Sequence, residues 1–228
     1  MQSGGETSAT SGRGWLSDPM HIAVHALGIT QITAWGTSFY CLGVLSGPIA
    51  AETGWSRSFV FLGFTVALLV MGLVSTTVGR AIDRAGARGV MAVGTVLVSA
   101  GLLALAHVTS EAAYIGVWAL IGLGMRCCLY DAAFAALVQV TPTRGRTAIS
   151  YLTLYGAFAS SIFWVIGHQL ETAVGWRQTL ILFSIINLVV CLPLNWFGLA
   201  RREAPVPAAA ATGGSSEGVV LEGRQRTI

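Results

Sequence analysis

Gly79-Arg80-Ala81-Ile82-Asp83-Arg84-Ala85-Gly86-Ala87-Arg88 is a short charged stretch between two long apolar runs. Neither the preceding run, 59–78, nor the following run, 89–108, contains Asp, Glu, Lys or Arg. At a rise of about 1.5 Å per residue, each run makes a helix of roughly 30 Å, which is the thickness of the hydrocarbon core of a bilayer. Two such helices joined by so few residues must form an antiparallel hairpin, so the stretch predicts two neighbouring membrane-spanning helices.

The composition indicates an integral membrane protein. Of the 228 residues, 54% are hydrophobic and only 10% are charged, and the mean hydropathy is +0.70. A soluble domain carries about 25% charged residues. Every basic residue is Arg, and the arginines are scattered among predicted loops rather than gathered in a stripe, which excludes a nucleic-acid-binding face. The lack of Lys and the abundance of Ala and Gly favour a bacterial source, and hence the bacterial inner membrane.

The cysteines are predicted to be small buried hydrophobic residues. They are Cys41, Cys127, Cys128 and Cys191, and all fall inside apolar runs. Cys127 and Cys128 are adjacent, without the Cys-x-x-Cys spacing of metal or redox sites. We therefore expect neither a metal site nor a cofactor.

Apolar runs separated by short polar loops predict an all-α bundle of six membrane-spanning helices. The predicted spans are about 22–49, 59–78, 89–108, 112–140, 148–168 and 179–199. Together they form a predicted helical domain over residues 21–200. Residues 1–20 are polar and rich in Gly, Ser and Thr, which predicts a disordered N-terminus. Residues 201–228 are rich in Ala, Gly, Ser and Pro, which predicts a flexible tail.

The arginines predict that both termini are cytoplasmic. With six spans the termini share one side of the membrane, and the opposite side holds only Arg57 and Arg177. Arginine-rich loops stay in the cytoplasm under the positive-inside rule. The arginines on the predicted cytoplasmic side are Arg13, Arg80, Arg84, Arg88, Arg144, Arg146, Arg201, Arg202, Arg224 and Arg226.

The Gly-x-x-x-Asp-Arg-x-Gly-x-Arg pattern of residues 79–88 resembles the signature of the major facilitator superfamily of secondary transporters. The context also matches, because the pattern follows the second apolar run and precedes the third. The family form has two basic residues after the second glycine, and Ala87 takes the first of those places here. Residues 54–57 and 175–177, Gly-Trp-Ser-Arg and Gly-Trp-Arg, open the second and sixth spans in a similar way. Residues 129–135 resemble the oxalate/formate and monocarboxylate branch.

This resemblance implies a particular architecture. Family members have twelve spans in two six-helix halves, and each half contains two three-helix repeats of inverted topology. The chain corresponds to the N-terminal half, with its tail resembling the loop that leads to the second half. We therefore expect a second six-helix half, because the central cavity of the family lies between the halves. The chain is then either a fragment or split gene product, or a half-size protein that forms a homodimer.

The resemblance also implies a role for the charged stretch as a conformational latch. Asp83 would face the start of a helix in the other half, where the helix dipole favours a negative charge. Gly79 and Gly86 would allow close packing and a sharp turn, and Arg84 and Arg88 complete the pattern. The alternative is that the arginines only set the topology of the chain.

Arg126 is the most unusual residue of the predicted spans, because a charge near the centre of a membrane helix is costly and usually functional. Asp131 lies about one and a half turns further along. At 3.6 residues per turn the two side chains point about 140° apart, so they do not form a simple i, i+4 pair. Tyr130, at i+4 from Arg126, is better placed to touch its guanidinium group. The two charged residues therefore need partners on other helices, or a distorted helix between them.

These residues allow two interpretations. In the functional one, Arg126 binds an anionic group of a substrate, and Asp131 carries a proton or orients the substrate. In the structural one, they belong to a polar network that holds helices together. Gln31, Trp35 and Tyr155 are further candidates, because the resemblance implies that the first and fifth spans line the cavity. Each aromatic residue taken alone is more typical of helix packing.

The function predicted by the residues and the resemblance is transport of a small solute, such as an organic anion with or without a proton, by alternating access. An enzyme is not expected, because the Gly-x-Ser-Gly pattern of rhomboid-like proteases and the His-Glu-x-x-His pattern of metalloproteases are missing. The paired Asn-Pro-Ala boxes of water channels are missing too. The alternatives are a membrane protein that no longer transports and, less in keeping with these missing patterns, a six-span intramembrane enzyme.

The topology gives a direct prediction. A reporter that is active only in the cytoplasm should be active when fused after Arg202 and silent when fused near Glu171. A reporter that is active only outside should give the opposite result. The reverse pattern for both fusions would show that the chain has the other orientation.

Overall fold

The computed structural model describes residues 18–201, and within this part of the chain the secondary structure is entirely helical. The predicted disordered N-terminus and flexible tail fall almost wholly outside the described residues. The helices are α1 (Pro19–Ala34), α2 (Cys41–Thr53), α3 (Arg57–Ala85), α4 (Ala87–Ala106), α5 (Glu111–Cys128), α6 (Tyr130–Val140), α7 (Gly145–Ala157), α8 (Ala159–Val174), α9 (Trp176–Ile186) and α10 (Leu192–Gly198). Two π-helical stretches, Trp35–Tyr40 and Asn187–Cys191, continue α1 into α2 and α9 into α10.

These elements make six helical segments, which we number in chain order. The first is α1 to α2, the second is α3, the third is α4, the fourth is α5 and α6, the fifth is α7 and α8, and the sixth is α9 to α10. Among the described residues, the second to sixth segments are long and apolar enough to cross a membrane. The six-helix bundle is therefore confirmed, but the first segment falls short of the apolar composition of the other five.

Polar residues explain the weaker apolar character of the first segment. They lie in the middle of the segment and are all buried, so they face neighbouring helices rather than lipid. Their hydroxyl groups mostly donate to a backbone carbonyl three or four residues earlier, for example Thr37 to Thr33 at 2.8 Å. The buried polar residues of the first segment are Thr30, Gln31, Thr33, Thr37, Ser38 and Ser46.

The predicted loops at 79–88 and 171–178 are wrong in extent, because helices occupy nearly all of both. Helix α3 continues to Ala85, and only Gly86, at φ 83°, separates it from α4. Gly175, at φ 81°, likewise separates α8 from α9. Glycine adopts such positive φ values without the steric cost borne by other residues. The charged residues at 79–88 therefore predicted the position of the turn between α3 and α4, but not the residue at which α3 ends.

The packing of the six segments has the symmetry of two three-helix repeats. The first segment contacts the fifth and the second contacts the fourth, while the third contacts both the fourth and the sixth. The sixth segment returns to contact the first. Exchanging segments one, two and three with four, five and six maps these contacts onto one another. Because each repeat contains an odd number of antiparallel helices, the second repeat is inverted relative to the first.

Small residues let the central helices approach closely. A Cβ atom on Gly124 would lie 2.8 Å from the backbone nitrogen of Val98, and one on Gly94 would lie 2.9 Å from the carbonyl oxygen of Gly124. A Cβ atom on Gly122 would collide with the backbone of Ala67 in α3. Membrane helices associate through such close contacts because lipid offers no hydrophobic drive to bring them together.

Ion pairs hold both ends of the first segment. Asp18 caps the N-terminus of α1 and accepts two hydrogen bonds from Arg144, both at 2.7 Å. At the other end Glu52 accepts hydrogen bonds from Arg177 at 2.8 Å and from the indole of Trp176 at 2.6 Å. The first segment is thus tied to the start of the fifth at one membrane surface and to the start of the sixth at the other.

The glycine contact predicts a difference between two positions on α5. Gly122→Ala should lower the free energy of unfolding by about 1–3 kcal/mol, because the added methyl group meets backbone that must move. Gly116→Ala is the matched control, since a Cβ atom there meets nothing within 4 Å. That control should leave stability unchanged or raise it by up to about 1 kcal/mol through helix propensity. Unfolding of both variants in one detergent measures this, and equal shifts would contradict the packing.

The Asp18–Arg144 pair predicts a dependence of stability on pH. Hydrogen bonds from Arg144 lower the pKa of Asp18 to about 2, below its ordinary value of 3.8. The pair therefore stabilises the folded state fully above about pH 4, and this contribution is lost as the pH falls towards 2. Asp18→Asn should lower the free energy of unfolding by about 1 kcal/mol at pH 7, since the partly exposed arginine weakens the pair.

The difference between wild type and Asp18→Asn should shrink as the pH falls from 5 to 2. Asp83→Asn is the control, because Asp83 is exposed and has no ion-pair partner among residues 18–201. Asp83→Asn should leave the stability of the chain nearly unchanged across the same range. A constant difference between wild type and Asp18→Asn from pH 5 to 2 would show that the carboxylate charge is not the cause.

Candidate functional site

The fourth segment is broken at Leu129, between α5 and α6. Leu129 has an extended conformation, with φ −81° and ψ −164°, in the middle of a run that is otherwise helical. The break has neither proline nor glycine at its centre, so its cause is not an intrinsic helix breaker. A kink can also arise where a side chain inserts into the helical hydrogen-bond ladder, and Gln31 of the first segment does so here.

Gln31 is fully buried and donates from Nε2 to the carbonyl oxygen of Cys128 at 2.9 Å. Cys128 is the last residue of α5, where carbonyl groups lack a partner within the helix. The other end of the Gln31 amide accepts a hydrogen bond from the indole nitrogen of Trp35 at 3.2 Å. Both ends of the amide are therefore used, and Gln31 fixes the break instead of pointing into open space.

The break brings Arg126 and Asp131 together. Nη1 of Arg126 forms an ion pair with Oδ2 of Asp131, although a regular helix would point the two side chains apart. Of the arrangements left open by the sequence, the structure shows the distorted helix. The side chain of Arg126 is 20% exposed and that of Asp131 is 64% exposed, so the pair lies at the surface of the six-helix bundle, with Asp131 the more open of the two.

Arg126 lies deep in the membrane. The fourth segment runs from Glu111 to Val140, and Arg126 is at its midpoint. At about 1.5 Å per residue, it is roughly 20 Å from either end. Its Nε atom is buried and has no hydrogen-bond acceptor among the described residues. A charge at this depth is unfavourable by about 2.5–3.5 kcal/mol on insertion scales, and the ion pair lowers that cost.

Tyr130 forms neither a hydrogen bond nor a cation–π contact with Arg126 among the described residues. Its ring packs against Trp35, with centroids 5.1 Å apart, and stacks on Phe134 at the same distance. Its hydroxyl group lies where a Cβ atom of Gly156 would be, so Gly156 lets the fifth segment approach. Tyr130 thus joins the first, fourth and fifth segments, next to the ion pair.

Tyr155 makes a separate contact with the first segment. Its hydroxyl oxygen lies 2.5 Å from Nδ1 of His25, and its ring lies against Gly28. Tyr155 also lines an apolar groove of about 420 Å³ between the first and fifth segments. The structure therefore brings five predicted site residues together at the helix break, and places Tyr155 beside this group. The five are Gln31, Trp35, Arg126, Tyr130 and Asp131.

The predicted latch residues surround the turn at Gly86. Asp83 and Arg84 are exposed on the last turn of α3, and Asp83 has no hydrogen-bond or ion-pair partner among residues 18–201. A Cβ atom on Gly79 would meet nothing within 4 Å, so Gly79 serves no packing contact within this part of the chain. Arg88 instead places its guanidinium group 4.2 Å from the ring centroid of Trp196.

Gln139, which was not among the residues predicted from the sequence, holds the turn in place. Gln139 lies near the end of α6, accepts a hydrogen bond from the backbone nitrogen of Ala87 at 3.0 Å and donates to the carbonyl oxygen of Ile82 at 3.4 Å. It thus binds both sides of the turn between α3 and α4. The available signal was an amide side chain at the end of an otherwise apolar run, where an interhelical hydrogen bond is expected.

Glu52 was missed as well. Its carboxylate binds Arg177, and Arg177 also donates from Nη1 to the carbonyl oxygen of Ala106 at 2.6 Å, at the end of α4. A cation at a helix C-terminus is stabilised by the dipole and by the free carbonyl groups. The hydrogen bonds from Arg177 and Trp176 lower the pKa of Glu52 below its ordinary value. Residues 175–177 therefore have a structural role at the end of the third segment.

Comparisons with known proteins match this architecture. A family model described as Major Facilitator Superfamily matches residues 27–224. The chain is also similar to an uncharacterized MFS-type transporter, YcxA, of Bacillus subtilis (strain 168), with 25% identity over 153 residues. The matched region is 67% of this chain but only 38% of the relative, so the match spans well under half of the relative's length.

Proposed function

Because the family model covers most of its length, the chain belongs to the Major Facilitator Superfamily, and we propose that it forms one six-helix half of a transporter for small organic anions. The chain is accordingly a multi-pass membrane protein of a transporter family and not an enzyme. The observation that carries the choice of substrate is the Arg126–Asp131 pair in the middle of the fourth segment, with the side chain of Asp131 exposed.

Arg126 has donors left for a carboxylate. A guanidinium group has five N–H donors, and Asp131 uses Nη1. Arginine binds carboxylates through two parallel hydrogen bonds, which gives both strength and a defined orientation. A carboxylate substrate would therefore bind Arg126 beside or in place of Asp131. Candidate substrates are monocarboxylates and dicarboxylates such as formate and oxalate, in line with the branch that residues 129–135 resemble.

Asp131 supports a proton-linked exchange at the same site. When Asp131 is charged, it competes with an anionic substrate for Arg126. A proton on Asp131 would remove the negative charge and release the guanidinium group, so proton binding and anion binding would favour each other. The side chain of Asp131 is 64% exposed at the surface of the six-helix bundle, which supports its role as the group that takes up the proton. Transport would then carry a proton together with the anion.

The surrounding residues would position the pair. Gln31 maintains the break that brings Arg126 and Asp131 together, and it does so from a fully buried position. Trp35 and Tyr130 provide an aromatic wall beside the pair, which would contact the apolar part of a substrate. Gln31 is thus a positioning residue in this proposal, whereas Arg126, Asp131, Trp35 and Tyr130 would touch the substrate.

A second six-helix half would complete the transporter, supplied by another part of the polypeptide, another chain or a second copy. The match covers only 38% of the Bacillus relative, which supports such a missing half. In the most apolar 18-residue stretch of the second and of the fifth segment, only 17% of the residues are buried, so both segments have wide faces free to contact it. Asp83, exposed and without a partner in the described part of the chain, would then contact the other half as a latch during alternating access.

Both termini would face the cytoplasm of a bacterial cell, in the inner membrane. The support for this orientation is the excess of arginine at one end of the bundle. That end holds Arg80, Arg84, Arg88, Arg144, Arg146 and Arg201, whereas the other end holds Arg57 and Arg177. In this orientation the Asp18–Arg144 pair is cytoplasmic and the Glu52–Arg177 pair is external.

The anion site predicts a defined result for Arg126 variants. Formate or oxalate should raise the Tm of the purified chain in a saturable way. Arg126→Gln should weaken this apparent affinity by about tenfold or more, since it removes a charge-assisted hydrogen bond worth about 1.5–3 kcal/mol. Arg126→Lys should retain part of the affinity, because the charge remains but the planar fork is lost. The measurement is the Tm of each variant as a function of anion concentration. The rise in Tm with concentration gives the apparent affinity, and the Tm without anion gives the stability.

Arg146→Gln is the control, because Arg146 is exposed on the first turn of α7 and contacts none of the site residues. It should change the apparent affinity less than twofold. If Arg126→Gln lowers Tm but leaves the affinity for both anions unchanged, Arg126 is structural and the anion site is ruled out.

The same chain in vesicles should show no uptake without a second half, and saturable uptake by a demonstrated monomer would refute that requirement.

A further inference from the structure

The third and sixth segments form an apolar groove that the proposed transport function does not use. Its volume is about 560 Å³, and its walls are aliphatic and aromatic side chains. The exposed side chains include Val93, Val96, Trp196 and Phe197, so the groove opens outwards from the bundle. The full lining is Ala92, Val93, Val96, Leu97, Leu192, Pro193, Trp196 and Phe197.

A hydrogen bond between the two segments fixes the floor of the groove. Nδ2 of Asn195 donates to Oγ1 of Thr95 at 3.0 Å, and both residues are buried. Pro193 and the preceding π-helical stretch, Asn187–Cys191, interrupt the regular helix of the sixth segment beside the groove. The groove is therefore a fixed feature of the packing of α4 against α10 and does not depend on flexible side chains alone.

Arg88 lies at the end of the groove that meets the membrane surface. Its guanidinium group packs over Trp196, one of the lining residues, with 4.2 Å to the ring centroid. Its Nε atom is buried and has no hydrogen-bond acceptor among the described residues, and no carboxylate there pairs with it. A ring stacked on the guanidinium face leaves the N–H groups at its edge available to an anion.

The neighbourhood of Arg88 also suits an anion. Arg88 is the second residue of α4, where the helix dipole attracts negative charge, while the backbone N–H of Ala87 is already bound to Gln139. A Cβ atom on Gly89 would meet nothing within 4 Å, so the approach is open. The exposed Arg201 follows the sixth segment at the same end of the bundle.

The dimensions of the groove match a single lipid chain. Its lining on α4 ends at Leu97, nine residues beyond Arg88. At about 1.5 Å per residue this is roughly 13 Å, or close to half of the hydrocarbon thickness of a bilayer. An apolar groove one leaflet deep, with a cation at the surface and an aromatic residue beside it, fits a molecule with an acyl chain and an anionic headgroup.

We propose that the groove between the third and sixth segments binds an anionic phospholipid, with its phosphate on Arg88 and one acyl chain along Val93, Val96 and Phe197. In the orientation proposed above, this lipid belongs to the cytoplasmic leaflet. The bound headgroup would accept hydrogen bonds from the terminal Nη groups of Arg88. The lipid also covers apolar side chains beside the hydrogen bond by which Asn195 of α10 donates to Thr95 of α4.

The test is lipid binding to the purified full-length chain, measured by native mass spectrometry and by the rise in Tm. The probes are phosphatidylglycerol, phosphatidylcholine with the same acyl chains, and inorganic phosphate. Phosphatidylglycerol should bind and stabilise the chain at lower concentrations than phosphatidylcholine. Inorganic phosphate should neither bind in this way nor raise the Tm. Arg88→Gln should weaken phosphatidylglycerol binding by about fivefold to tenfold, and Arg84→Gln, an exposed arginine of the same stretch, by less than twofold.

A second pair of variants tests the groove itself. Val96→Trp fills the groove and should reduce phosphatidylglycerol binding about as much as Arg88→Gln. Leu73→Trp adds the same side chain on the exposed face of α3 and should have no effect. Equal binding of both lipids, or equal effects of Arg88→Gln and Arg84→Gln, would overturn the proposal. The proposal would also be overturned if the chain formed a dimer that lipid does not affect and that dissociates in Val96→Trp. A second copy of the chain would then occupy the groove.

Discussion

The hydrogen bond from Gln31 to the carbonyl oxygen of Cys128 is the interaction on which the candidate site depends. It occupies an acceptor at the end of α5, allows the chain to adopt an extended conformation at Leu129, and so turns Asp131 towards Arg126. Without the break, the two charges would lie on different sides of one helix, about 140° apart. The residue that creates the site therefore sits on a different segment from the residues that would do the chemistry.

Polar contacts elsewhere in the bundle follow the same logic. A membrane interior gives no water to satisfy a freed donor or acceptor, so each irregular stretch of backbone needs a partner from a neighbouring helix. Asn187, in the second π-helical stretch, donates to Thr37 in the first at 2.8 Å, and Ser184 donates to the carbonyl oxygen of Ser99 at the same distance. Apolar surface holds the chain in the bilayer, while these bonds decide which helices meet and in what register.

Much of the fold could be predicted from the sequence, because long apolar runs and the pattern at 79–88 depend only on local residues. The positions of the turns were harder, since Arg80 to Ala85 are compatible with a helix and only the positive φ of Gly86 ends it. The break at Leu129 could be anticipated from Arg126 and Asp131 only as one of two alternatives. Its cause, Gln31, is 97 residues away from Cys128 in the chain, and spacing within one helix carries no information about such a partner.

Ion pairs hold the first segment to neighbouring helices at both of its ends. Asp18 is tied to Arg144 at one membrane surface and Glu52 to Arg177 at the other, so neither end can slide while these bonds persist. While these bonds persist, a change in tilt or length would fall on the part between them, which includes the π-helical stretch Trp35–Tyr40. Trp35 begins that stretch and contacts both Gln31 and Tyr130, so deformation of the segment would be transmitted directly to the helix break.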